Sequence, residues 1–385
     1  MPPNNKRENA VTSEQQELRQ HTPFERWVLD EGLSIIQQQI IPDVRTAELA
    51  PWTRTGTNAA LVDLTTYPVD EGDVLANLGS SRYLCDIPPG GTYNAERHMY
   101  EEMFFVVSGR GATTVWYPGS PAHTFEWQEG SVFSIPLNAW HEIYNGSGDA
   151  PARLYAAFNA PTVFNLYDST SFIFNCDSTF PDRFDPYDET YFSGKSEKVR
   201  DRLIRTNFVA NVRNTTLDRW SARGPGTNMH TLMANGYYVC HLSEFPGLTY
   251  KKAHVAPNSR TRAGLNSEVA YLFLSGEGYD LQWAPGAQPG PDVPFKKLAY
   301  GAWSLLTPAN GYHQHFNTGT EAIRYVVLRR GNPELTGRGR RGENVNPQIE
   351  FAEEDPAVWE LFENELRARG HDPSKMDSYR SEEPE

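Results

Sequence analysis

From about Asn77 to Pro161 the apolar residues come in short runs cut by Gly, Pro and Asn, the rhythm of strands and turns. The same pattern returns from about Gly236 to Arg329, so the sequence predicts two antiparallel β units, 77–165 and 236–330. Between them, 166–235 is poorer in strand signal and rich in Asp, Ser, Asn and Pro, and reads as a connector. Helical signals flank the β units. Thr22, Pro23 and Glu25 form a capping box at the start of a helix that runs through Trp27 and Val28 to about Gly32, within an N-terminal segment 1–76. Its first twenty residues are polar and read as a disordered arm. In the C-terminal segment 331–385 a second helix is predicted from Pro356 to Arg369, capped by Asp355 and ended by Gly370.

The two β regions repeat one another. Pro89-Gly90-Gly91-Thr92-Tyr93 recurs as Pro246-Gly247-Leu248-Thr249-Tyr250. Phe105-Val106-Val107-Ser108-Gly109 recurs, one residue shorter, as Phe273-Leu274-Ser275-Gly276. Pro136-x-Asn138-x-x-His141-x-x-x-Asn145 recurs at identical spacing as Pro308-x-Asn310-x-x-His313-x-x-x-Asn317. A duplicated β module accounts for all three.

The chemistry gathers in the first copy. Glu96, His98, Tyr100, Glu102 and Phe104 alternate, so on one continuous strand they share a face, with Met103, Phe105 and Val107 turned outward against a second layer. Two carboxylates and an imidazole facing inward are costly to bury unpaired. A divalent cation removes that cost, and His141 from a neighbouring strand closes the coordination sphere. Arg97 points to the opposite face, away from these acids.

Charge and composition narrow the partners. The formal charge is −14, and residues 350–385 hold twelve acidic against four basic side chains, so the body is only mildly acidic. No extended basic face offers itself to nucleic acid or an anionic membrane. The Arg338–Arg341 stretch reads as a solvated loop, and its Gly-x-Gly-x-x-Gly match lacks a βαβ setting. Apolar runs such as Val269–Leu274 are too short to span a bilayer, and no secretory signal opens the chain. Three cysteines, Cys85, Cys176 and Cys240, make no disulfide framework, and the expected location is cytoplasmic. A small-molecule substrate is the expected partner, and homo-oligomerisation is left open.

The run Gly90-x5-Glu96-x-His98-x3-Glu102-x6-Gly109, followed by Gly130-x5-Pro136-x-Asn138-x2-His141-x3-Asn145, resembles the paired motifs of the cupin superfamily. Those have the form Gly-x5-His-x-His-x3,4-Glu-x6-Gly and Gly-x5-Pro-x-Gly-x2-His-x3-Asn. The resemblance implies an all-β fold of two tandem double-stranded β-helix (jelly-roll) barrels with flanking N- and C-terminal helices. It is broadly similar to gentisate-type dioxygenases and to ureidoglycine-aminohydrolase-like bicupins. The implied ligands are Glu96, His98, Glu102 and His141. Glu96 stands where the family has its first His, giving a harder, more anionic set suited to Fe(II) or Mn(II), with Zn(II) also accommodated. Asn138 replaces a family Gly at a turn whose left-handed backbone Asn tolerates.

The second copy is degraded. His254 lies near the first-motif position without a His-x-His, and Glu268 follows only after an inserted stretch. His254, His313 and His315 form a candidate second site, either for metal or as part of a pocket lining. The leading function is a metal-dependent oxygenase or dioxygenase acting on a small, aromatic-type organic acid, with Tyr100 and Phe104 as a partly aromatic wall for a planar substrate; in the redox-neutral alternative Glu96 or Tyr100 moves a proton. A redox-neutral lyase, isomerase or hydrolase, and a non-catalytic binding bicupin, are the alternatives.

Overall fold

A computed structural model describes residues 21–64, 75, 79–234, 236–255, 269–283, 296–308, 311–331 and 348–381. Among these, strands dominate and arrange as two barrels, each made of two facing sheets. In the first barrel a larger sheet carries the strands Thr57–Asp63, Ser81–Ile87, Ala152–Phe158, Glu102–Ser108 and Val132–Ile135, and a four-stranded sheet carries Thr92–Glu96, Trp140–Asn145, Arg110–Trp116 and His123–Gln128. The second barrel repeats this plan. Its larger sheet runs through Thr227–Leu232, Tyr238–Phe245, Ile323–Arg330, Tyr271–Phe273 and Leu305–Leu306, opposite a sheet centred on Tyr312–Asn317 and Glu277–Trp283.

The sheets reach beyond 77–165 and 236–330. Ser34–Gln37 and Thr57–Asp63 extend the first barrel from the N-terminal segment, and Leu203–Arg205 and Thr227–Leu232 extend the second from the connector. Each preceding segment also lends a short strand to the other barrel. Ile40–Ile41 pairs with Leu305–Leu306, and Phe208–Val209 pairs with Val132–Phe133. These edge strands are only two residues long, too short to produce a periodic signal in the sequence.

The first barrel's interior is filled by Phe104, Val106, Phe133, Ile143 and their neighbours. Met103, Phe105 and Val107 face outward, as their alternation predicts, and pack with Leu242, Leu272, Leu274, Val326 and Leu328 into one apolar layer between the barrels. The N-terminal helix forms at Pro23–Asp30 with both halves of the Thr22–Glu25 capping box in place. The C-terminal helix forms at Pro356–Ala368, where Asp355 accepts from the Ala357 amide. Its Phe362 and Leu366 cover the outer face of the second barrel against Tyr250 and Phe316. The polar arm 1–20, Glu268, Asn310 and the Arg338–Arg341 stretch lie outside the described residues.

Candidate metal centre

The local chain path corrects one expectation. Glu96, His98, Tyr100, Glu102 and Phe104 do not lie on a single strand. Glu96 ends the strand Thr92–Glu96 in the smaller sheet, Arg97–Glu101 is an irregular bend, and Glu102 begins the strand Glu102–Ser108 in the larger sheet. The bend crosses from one sheet to the other, so the residues converge across the barrel and not along one face. His98 and Tyr100 are carried by the bend, which is fixed by the Met99 amide donating to the Ile173 carbonyl and the Asn138 amide donating to that of His98. Asn138 has φ 57°, the left-handed backbone foreseen at that turn, and its amide group donates to the Cys176 and Ser178 carbonyls.

His141 sits directly opposite Glu96 on the neighbouring strand. Ligand atoms of Glu96, His98 and His141 lie within 4.8 Å of one another, all three residues being buried. Glu102 joins through His98, whose Nε2 is 3.3 Å from Glu102 Oε2. The tautomer of His98 follows from its other nitrogen. Nδ1 is 2.8 Å from the Tyr100 carbonyl, which only accepts, so Nδ1 carries the proton. In neutral His98, Nε2 is then a bare lone pair facing a carboxylate oxygen, a contact that requires a proton or a cation between them. His141 repeats the situation. Its Nδ1 faces the Ala139 carbonyl at 3.4 Å, while Nε2 is fully buried with no partner. Burial, and then the neighbouring His98, holds His141 below the ordinary histidine range, which favours the neutral imidazole that metal ligation needs. The donor set fits a divalent cation of intermediate hardness.

The surroundings orient this set. Tyr83 donates to Glu102 Oε1 at 2.7 Å, and Tyr93 donates to Glu96 Oε1 at 2.7 Å. Both phenols are held well above the ordinary tyrosine range, first by burial and then by the adjacent carboxylate, and so remain donors. Tyr100 is raised by the same causes. Its ring stacks flat on His98 at 3.7 Å, packing against a candidate ligand in place of lining an open wall. Phe104 lies deeper, stacked on Phe133. Arg54 Nε donates to Glu96 Oε2 at 3.0 Å, its guanidinium over the Phe174 ring at 3.6 Å. Arg97 points away, as foreseen, and pairs with Asp177.

Three residues of this shell were not anticipated. Tyr93 was in plain view within the repeated Pro-Gly-x-Thr-Tyr element. Tyr83 is one more aromatic in a buried strand, and Arg54 comes from the segment before the repeat, where nothing in the sequence marks it.

In the second barrel, His254 stands opposite His313 as Glu96 stands opposite His141. The rings of His254, His313 and His315 lie 4.2–6.3 Å apart. Their nitrogens are directed elsewhere. His313 Nε2 meets the Tyr271 hydroxyl at 3.0 Å, His254 Nδ1 meets the Lys252 carbonyl at 3.0 Å, and His315 Nδ1 lies 2.9 Å from Asp280. Among the described residues, the convergent metal-type group is that of the first barrel.

Residues 83–158 match the cupin domain family. A 5-aminosalicylate 1,2-dioxygenase from a Comamonas species is 34% identical over 101 residues, which are 26% of this chain and 25% of that protein. Auxin-binding protein 4 of Zea mays is 30% identical over 89 residues, 22% of this chain and 43% of that one. This chain thus aligns with less than half the length of either relative. Oxalate decarboxylase of Bacillus subtilis superposes over 91% of this chain and 88% of its own, with 10% identity and a TM-score of 0.48. Residues 83–158, within the first barrel, are thus a cupin domain by sequence, and the second barrel repeats the plan of the first. No described helix is long and apolar enough to cross a membrane.

Proposed function

We propose that the first barrel binds one divalent ion, Fe(II) or Mn(II) in preference to Zn(II), and acts as a dioxygenase on a small aromatic organic acid. The carrying observation is the convergence of Glu96, His98 and His141 beside Glu102, with imidazole lone pairs that no protein donor satisfies. His98, His141 and Glu102 hold the ion, which when bound supplies Lewis-acid or one-electron chemistry. Glu96 serves as a further ligand or as the base that moves a proton, with Tyr93 holding one of its oxygens. Arg54, about a quarter exposed, sets a cation on an aromatic ring beside these groups, a setting suited to an anionic substrate. The local likeness to a protein named as a 5-aminosalicylate 1,2-dioxygenase supports the aromatic acid.

Engagement of both Glu96 oxygens favours a second reading, in which this carboxylate relays a proton in a redox-neutral lyase or hydrolase reaction. Elemental analysis of purified protein, followed by oxygen uptake with a panel of phenolic acids that includes 5-aminosalicylate, decides between them. Iron with uptake upholds the dioxygenase. Manganese or zinc with no uptake transfers the case to proton relay.

A further inference from the structure

Glu101 fixes the far end of the Arg97–Glu101 bend. It stands between Tyr100, whose ring stacks on His98, and Glu102, the first residue of its strand. It is 6% exposed, and both carboxylate oxygens are engaged, Oε1 by the Arg183 guanidinium and Oε2 by the Tyr237 amide at 2.7 Å. Its backbone is held as well. The amide donates to Asn159 Oδ1 at 2.7 Å, and the carbonyl accepts from the Asn159 amide at 3.2 Å.

Three separate parts of the chain meet at this residue. Asn159 follows the strand Ala152–Phe158, Arg183 comes from the connector, and Tyr237 closes the turn between the second barrel's strands Thr227–Leu232 and Tyr238–Phe245. The turn is shaped to the carboxylate. A Cβ on Gly236 would stand 3.2–3.3 Å from its carbon and both oxygens, closer than a side chain ordinarily packs. Next along, the Tyr238 hydroxyl lies 2.6 Å from Ser80 Oγ, a second polar tie between this turn and the first barrel. The apolar layer of Phe105 and Leu272 holds the barrels together without directing any group at the bend. A buried carboxylate, by contrast, fixes its donors in distance and angle.

We propose that Glu101 is a positioning residue of the first barrel's metal centre, through which the connector and the second barrel set the places of Glu102 and His98. This rests on the metal reading given above. Any rotation of the chain at Glu101 moves Glu102 directly, and moves His98 through the Tyr100 ring stacked on it. Partners that hold ligand-bearing residues in place tune a metal site almost as strongly as the ligands themselves. The second barrel, whose own histidines are directed elsewhere, thereby takes part in a site that it does not line.

Titration of the intact protein with Co(II) tests this, read both as affinity in competition with a chelator and as the visible absorption of the bound ion, which reports ligand geometry. Glu101→Ala should weaken binding about 10- to 100-fold and shift the absorption bands at saturating Co(II). Glu101→Gln keeps an acceptor for the Tyr237 amide and should recover most of the affinity and the wild-type bands. Asp86→Asn is the control. It breaks the Arg153–Asp86 ion pair, and Arg153 lies opposite Ser108 at the far end of the Glu102 strand. That variant should melt earlier with its bands and affinity unchanged. If Glu101→Ala does not fold, Arg183→Met, which removes one of the two donors, should shift the bands and weaken binding by about tenfold. The proposal is overturned if the wild type binds Co(II) and Glu101→Ala, or Arg183→Met in its place, matches it in affinity and bands. It is equally overturned if Asp86→Asn disturbs the bands as much as Glu101→Ala, which would make the effect one of general stability. A wild type that takes up no Co(II) is a distinct result, in which the metal reading itself fails and the proposal falls with it.

Discussion

Tyr83→Phe removes a single oxygen, the one that donates to Glu102 at 2.7 Å in a site closed to water. A hydrogen bond to a charged group contributes about 1.5–3 kcal/mol. At about 1.4 kcal/mol per decade that is a loss of roughly 10- to 150-fold in the readiness of Glu102 to hold a cation. An independent scale agrees, because losing a partner that orients a metal ligand typically costs about 10- to 100-fold in metal affinity. Competition for Mn(II) or Zn(II) against a chelator of known affinity measures the effect. Tyr300→Phe is the control, since its hydroxyl donates to the Phe316 carbonyl within the second barrel. A loss of less than about threefold in correctly folded Tyr83→Phe would refute the assignment of Glu102 as a ligand. Tyr93→Phe extends the test to Glu96. Equal loss of affinity makes Glu96 a ligand, whereas unchanged affinity with slower turnover makes it a base.

His98→Ala and His141→Ala should each abolish metal content and turnover, and Glu96→His should keep the metal while shifting its preference, as read by elemental analysis. Chelation should lower the melting temperature, because the ion offsets the repulsion between Glu96 and Glu102, and an unchanged value would mean that no ion is held there. Phe105→Ala should cost about 3–5 kcal/mol in denaturant unfolding, since Phe105 is fully buried in the layer between the barrels. Acid should destabilise the fold. His230, His313 and His315 are held down to about 3 and so gain protons on unfolding at pH 5, while Asp280, raised to about 7, loses one. His241 and His254, held well below the ordinary histidine range by burial, act in the same direction, so the net uptake is at least about two protons and stability rises with pH by at least roughly 2.7 kcal/mol per unit between pH 4 and 6, measurable as proton uptake on unfolding in buffers of different ionisation enthalpy.

The duplicated barrel was legible because its marks are local: glycines at turns, a proline before each histidine strand, and apolar alternation such as Met103, Phe105 and Val107. Both flanking helices were legible for the same reason, since a capping box and a terminal Gly are contiguous signals. The edge strands were not. Ile40–Ile41 and Phe208–Val209 acquire their role only from the opposite barrel, and nothing in two residues encodes a distant partner. Glu96, His98 and His141 converge as their spacing suggests, yet the single-strand picture of Glu96 to Phe104 failed. Alternation is blind to a bend that preserves parity while changing sheets, and the crossing at Arg97–Glu101 does just that. Arg54 shows the opposite limit: its contact with Glu96 spans 42 positions and leaves no spacing to read.

The two barrels place different side chains on a shared frame. His254 takes the register of Glu96, Lys251 that of Tyr93, and His313 keeps that of His141. Counting back seven residues from the matched turn glycines, Gly109 and Gly276, the place of Glu102 falls to Val269, an apolar side chain 2% exposed. The second barrel therefore lacks both carboxylates that face the interior of the first at these positions. The Phe105–Leu272 layer is indifferent to this exchange, because it lies on the outward face of each strand and sees none of the interior charge. Alternation thus separates what holds the barrels together from what each contains. One copy can keep metal-binding geometry while the other is re-tuned, with neither change weakening their contact.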